Sequence, residues 1–199
     1  MEMRYVDVTA AFTVIASVLL GCGNGTIEPP PPPHLDPAAI IESIEVFFGT
    51  RDIDDLEECF ADDFTFYFDQ DDIGNQVGDY TIPESWTPDD FLNAVNNIFS
   101  NGYSIDMSIA SANVGEPDAD DAYYTADNVQ MRFLVMVDPE NGYLAQGFAT
   151  FEFRKEVNEK NEQEWLVTAW RDFTAPDSTG DKSIVPASFG EILVRYHKP

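Results

Sequence analysis

Apolar residues recur at Ile40, Ile41, Ile44, Phe47 and Phe48, a three-and-four spacing that puts them on one stripe of an amphipathic helix. Asp36 stands at its N-cap, Pro37 at its first helical position, and Gly49 is the expected terminator. A second, shorter helix follows, with Asp52 as cap and Asp54 and Asp55 in the first turn, where the macrodipole favours anions. Ile53, Leu56, Cys59 and Phe60 form its apolar side. At residue 64 the period changes to two: Phe64, Phe66 and Phe68 alternate with Thr65 and Tyr67, which predicts a strand with aromatic bulk on both faces. Residues 69–86 shift to Asp, Gly, Asn and Gln, the composition of a long loop, with a short strand expected near 80–82. Thr87 and Pro88 then open a third helix whose stripe is Phe91, Leu92, Val95, Ile98 and Phe99, stopped by Gly102.

From there the pattern is strand-like over residues 103–114, 123–137, 143–157 and 164–173. Asp138-Pro139-Glu140-Asn141-Gly142 is a hairpin signal between the second and third of these strands. Large apolar residues occupy both alternation classes: Val129, Met131, Phe133 and Val135 oppose Leu134 and Met136, and Phe151 and Phe153 oppose Leu144 and Phe148. Such a sheet needs helices over one face and a partner or an enclosed cavity against the other. Residues 188–196 suit a closing helix or an edge strand.

The apolar run over residues 8–20 is too short to span a membrane as a helix, which takes about 20 residues, and has the length of a signal-peptide core. By itself it also suits an ordinary secretory signal or a buried helix. It ends in Leu19-Leu20-Gly21-Cys22, which resembles the lipobox of bacterial lipoproteins. That resemblance implies a signal peptide over residues 1–21, cleavage before Cys22, and a diacylglyceryl thioether on the Cys22 sulfur. Gly23 in the following position implies, on the same resemblance, the outer membrane of the cell envelope. Residues 22–35, with Pro29 to Pro33, then form an extended spacer, and residues 36–199 a single domain.

The net charge of −27 argues against nucleic acid and against anionic lipid headgroups as partners. Membrane attachment would therefore rest on the acyl chains at Cys22. With Cys22 lipidated, Cys59 has no partner for a disulfide, and its place in an apolar stripe marks it as a small buried hydrophobe.

The order of elements is two helices, an aromatic strand, a loop, a third helix and four long strands ending in Trp165-Leu166-Val167-Thr168-Ala169-Trp170-Arg171-Asp172. Over residues 36–173 it resembles the nuclear transport factor two-like, or SnoaL-like, superfamily. The resemblance implies an α+β, cone-shaped fold in which a strongly curved antiparallel sheet packs on three N-terminal helices. A pocket at the open end of the cone serves catalysis in some members and binding in others, so fold alone does not choose the function.

Both histidines, His34 in the spacer and His197 near the C-terminus, fall outside the expected centre of the domain, which argues against a His-based acid–base site of the scytalone dehydratase kind. CxxC, HExxH, Gly-rich phosphate loops and GxSxG are all missing from the sequence, so no metal and no cofactor is implied. Asp69-Gln70-Asp71-Asp72-Ile73-Gly74 fails the calcium-loop pattern at Ile73, and it and the Asp118, Asp120, Asp121 cluster read as solvated loops. For an enzyme, Asp and Tyr remain, as in the steroid isomerase branch: Asp172 as the inward base and Tyr67 as hydrogen-bond donor, against Asp172 as a strand-end residue making turn or ion-pair contacts. Trp86, Trp165 and Trp170 are candidates for lining a ligand cavity or for plain core, and Arg132 for an ion pair or an anionic ligand. The favoured reading is a lipid-anchored cell-envelope domain that binds a small apolar molecule or a protein partner through Tyr67, Trp86, Arg132, Trp170 and Asp172. The alternatives are an isomerase or lyase using Asp172 and Tyr67, and a homodimerising scaffold.

Overall fold

The computed structural model describes residues 36–118, 120–158, 161–175 and 183–197. The expected signal peptide, Cys22 and the proline spacer lie outside the described residues.

Helix α1 (Pro37–Thr50) starts as its sequence dictates, the Asp36 carboxylate accepting the Ala39 N–H at 2.8 Å. Its stripe of Ile40, Ile41, Ile44, Phe47 and Phe48 is buried. The end differs from the expectation. Gly49 stays helical, and Arg51 takes the left-handed cap conformation at φ 60°. The reason is tertiary: Arg51 donates from its guanidinium to the carbonyls of Phe99 at 3.0 Å and Tyr103 at 3.1 Å, at the end of α3. Helix α2 (Ile53–Glu57) is likewise shorter than its apolar spacing suggests. Cys59 and Phe60 leave it, and Phe60 opens strand β1 (Phe60–Tyr67). Cys59 is buried, and burial, with Glu58 and Asp55 adding to it, pushes its thiol up to about 12, so it stays a protonated, inert thiol.

The loop after β1 carries a hairpin, β2 (Gln76–Val77) with β3 (Tyr80–Thr81), turning at Gly78 with φ 62°. Strand β4 (Ser85–Trp86) then pairs with the edge of β1, and α3 (Pro88–Asn101) follows with Thr87 as cap. The remaining strands are β5 (Ser104–Ile109), β6 (Tyr123–Met136), β7 (Gly142–Val157), β8 (Gln163–Ala175) and β9 (Ile184–Pro186). Residues 188–196 resolve as a helix, α4 (Phe189–Tyr196), with a reciprocal capping box between Ser188 and Glu191.

The main sheet runs β4-β1-β8-β7-β6-β5, with β9 added beside β7. Its pairings are antiparallel except β1 with β8 and β7 with β9. Register shifts between Ala126 and Val129 on β6 and between Glu152 and Phe153 on β7 bend the long strands, and the curved sheet closes around α1, α3 and α4. Its inner face carries Phe64, Phe66, Val129, Met131, Phe133, Val135, Phe151, Phe153 and Trp170, all buried. The expected α+β fold with a curved, largely antiparallel sheet on three N-terminal helices is what the chain forms, and α4 is a fourth helix inserted beside them.

Candidate functional site

Trp170 projects into the centre of the cone, and the space beyond it is filled. Phe189 of α4 stacks on the Trp170 ring at 5.1 Å and 17°, and Phe151 and Phe91 close its sides at 4.8 and 5.7 Å. Phe189 also meets Phe133 at 5.1 Å and Phe66 at 5.9 Å. Edge-on and tilted rings of this kind add to the stabilisation from their buried area.

Asp172 is the next inward residue of β8 and is 1% exposed. Its carboxylate accepts the Thr174 N–H at 2.9 Å, the Thr174 hydroxyl at 2.7 Å and the Gly190 N–H at 2.8 Å, while the Thr174 hydroxyl oxygen accepts the Phe189 N–H at 2.6 Å. The acid thus holds the first turn of α4, where the free N–H groups and the helix dipole favour a carboxylate. Close approach depends on Gly190, because a Cβ there would sit 2.6 Å from the Phe68 ring. Burial pushes the Asp172 carboxyl up to about 7 against the opposing pull of these hydrogen bonds, and the nearby Asp72 adds to the rise. Asp72 is not the solvated loop residue its sequence suggests: it is buried, and burial raises its own carboxyl too.

Tyr67 does not join Asp172. The parallel register of β1 and β8 sets Phe66 beside Trp170 and Tyr67 beside Arg171, so Tyr67 faces the outside of the sheet, with the Arg171 guanidinium 3.9 Å above its ring. The acid–base pair expected from the sequence is split across the two faces. Arg132 also lies on the outer face, paired with Asp106 at 2.5 Å. Trp86 is buried and donates from Nε1 to the Tyr80 hydroxyl at 3.0 Å. Of the five residues expected to line one cavity, the interior receives Trp170 and Asp172, Trp86 packs near the β2–β3 hairpin, and Tyr67 and Arg132 are turned away.

A different concavity opens at that hairpin. It has a volume of about 470 Å³ and is walled by Val77 and Tyr80 of the hairpin, Tyr143 at the start of β7, and Val194, Arg195 and His197 at the end of α4, with Asp79 also lining it. The Arg195 guanidinium lies 4.9 Å above the Tyr143 ring. His197 packs on Trp86 at 4.8 Å and Tyr80 at 5.2 Å, so this histidine belongs to the domain and to a groove wall rather than to a loose tail. Tyr196 beside it has its phenol pushed up by burial and by Tyr143. The groove went unseen in the sequence because residues 77–80, 143 and 194–197 have no common motif. A helix over 188–196, one of the two forms that segment suits, was the one signal that would have carried His197 into the fold. Among the described residues, no group of three or more His, Cys, Asp or Glu side chains is placed to hold a metal ion.

No family model matches the chain, and no curated protein matches it. Solved structures do. A conserved protein from Planctomyces limnophilus DSM 3776 superposes with a TM-score of 0.50 at 14% identity, over 69% of this chain and 92% of its own. The hexachlorocyclohexane dehydrochlorinase LinA-type3 from Novosphingobium barchaimii LL02 gives 0.45 at 12% identity, over 70% and 86% of the two chains. The protein described as "Rd1NTF2_04 with long sheet" gives 0.39 at 8% identity, over 66% and 94%. These neighbours have nuclear transport factor two-like and SnoaL-like folds. At such identities the likeness concerns fold alone.

Proposed function

We propose that the chain is a lipid-anchored cell-envelope protein whose domain binds a small molecule without chemistry, through the groove between the β2–β3 hairpin and α4. The observation that carries this reading is the filled cone: Phe189 occupies the space over Trp170, and Asp172, the one carboxylate turned into the cone from β8, is engaged in holding α4. The isomerase or lyase alternative loses its support with Tyr67 and Asp172 on opposite faces. The groove, at about 470 Å³, lies within the range of small-molecule sites and offers aromatic walls with a few polar groups. A protein-observed NMR screen of small molecules on the whole mature chain should shift Tyr80, Tyr143, Val194 and His197. Hits that gather instead on Trp170 and Phe151 would return the site to the cone interior.

Anchoring rests on the lipobox-like Leu19 to Cys22, with Gly23 favouring the outer membrane. Mass spectrometry of the protein expressed in a bacterium should find a diacylated Cys22 at the N-terminus, and an unmodified Cys22 sinks the anchor. Homodimerisation, the second reading, is favoured by one outer-face feature. Phe148 on β7 and Phe173 on β8 are cross-strand partners, 48% and 46% exposed. Sedimentation of the wild type against Phe148→Ser decides it: a dimer lost in the variant supports the reading, and a wild-type monomer removes it.

A further inference from the structure

The groove holds a cation that the rest of the molecule has left available, and the acidic composition makes that informative. The chain has 37 Asp and Glu against 10 Lys and Arg. Among the described residues, Arg132, Arg154 and Arg171 each hold a carboxylate within ion-pair distance, and Arg51 is taken up by two carbonyls. Arg195 is exposed and has no carboxylate within that distance among the described residues; its contact is the Tyr143 ring. A guanidinium seated on an aromatic face keeps its N–H edge free, and that edge matches a carboxylate in bidentate geometry.

We propose that the groove selects a small monoanion, a carboxylate carried on a flat apolar body, with Arg195 as the carboxylate-binding residue. This rests on the groove being the binding site. The body of such a ligand would lie against Val77, Val194 and the rings of Tyr80 and Tyr143, and its carboxylate would meet Arg195 at the rim. Single charge follows from the surroundings. Asp79 lines the same groove and the whole chain carries −27, so each added negative charge on a ligand meets more repulsion while one arginine answers it. A divalent cation is disfavoured by Arg195 itself.

The test uses 2-naphthoate and its neutral counterpart 2-naphthamide, titrated separately into the whole mature chain and followed by NMR shifts of the groove residues. Naphthoate should bind at least about tenfold more tightly than naphthamide, as a charge-assisted pair warrants. Arg195→Gln should bring naphthoate down to the naphthamide level, and Arg195→Lys should recover part of the difference. Equal binding of the two probes, or naphthoate binding unchanged in Arg195→Gln, overturns the charge selectivity while the groove remains a binding site. Shifts centred on Trp170 overturn the groove as well. Silence of both probes up to millimolar concentration overturns the carboxylate class, and the unbiased screen then judges the groove on its own.

Discussion

Asp172 joins two opposing effects in one side chain. Three donors favour its ionised form, yet burial wins and places its carboxyl at about 7 in place of the ordinary 3.8. A raised carboxyl binds its proton more tightly in the folded chain than in the unfolded one. The folded state therefore gains from Asp172 at acidic pH and loses that gain as pH rises from about 4 through about 7. Asp72 stands at the same end of α4, and its charge adds to the rise at Asp172, while Glu191 there raises Asp72 in turn. Asp172→Asn stays neutral throughout, so its stability relative to wild type should climb across that window in urea unfolding measured at successive pH values. A wild-type-to-variant difference that is flat from pH 4 to 7 contradicts the raised carboxyl. Alternation along the strand gave Asp172 as an inward acid, and Thr174 two residues on is a local donor, but the Gly190 N–H that ties the acid to α4 comes from tertiary contact.

Among the elements, α1 and α3 were legible because each announces its start with a capping residue followed by proline and then holds one period for three turns. The long strands were legible from alternation. Boundaries failed where two periods overlap: Cys59 and Phe60 continue the helical stripe of Leu56, yet Phe60 pairs with Val167 on β8. Strand β9 has three residues, too few to carry a period. The end of α1 shows competing terms most clearly. Gly49 offers an inexpensive cap, and Arg51 in the left-handed region costs about 1 kcal/mol relative to glycine. Its two guanidinium bonds to the end of α3 contribute about 1.5–3 kcal/mol each where shielded and less where exposed. The bonds outweigh the strain, so Arg51→Gly should destabilise the domain by about 1 kcal/mol in denaturant unfolding, and a more stable variant would reverse that ranking.

At the level of the whole molecule, α4 decides what the cone is. Phe189 supplies the ring that fills the space over Trp170, and Phe189→Ala should cost about 3–5 kcal/mol and leave a cavity lined by Phe66, Phe133 and Trp170. That variant should take up a small apolar probe such as benzene in its interior, seen by NMR shifts at Trp170, where the wild type does not. Interior uptake by the wild type would show the cone to be hollow after all. The fold class, the capped helices, the burial of Cys59 and the alternation of the long strands were already present in the chain, since each is set by neighbours a few residues apart. The relative register of β1 and β8, the insertion of α4, and the meeting of Tyr80, Tyr143 and Arg195 were not. Those depend on segments distant in sequence, and nothing local fixes which faces they present to one another.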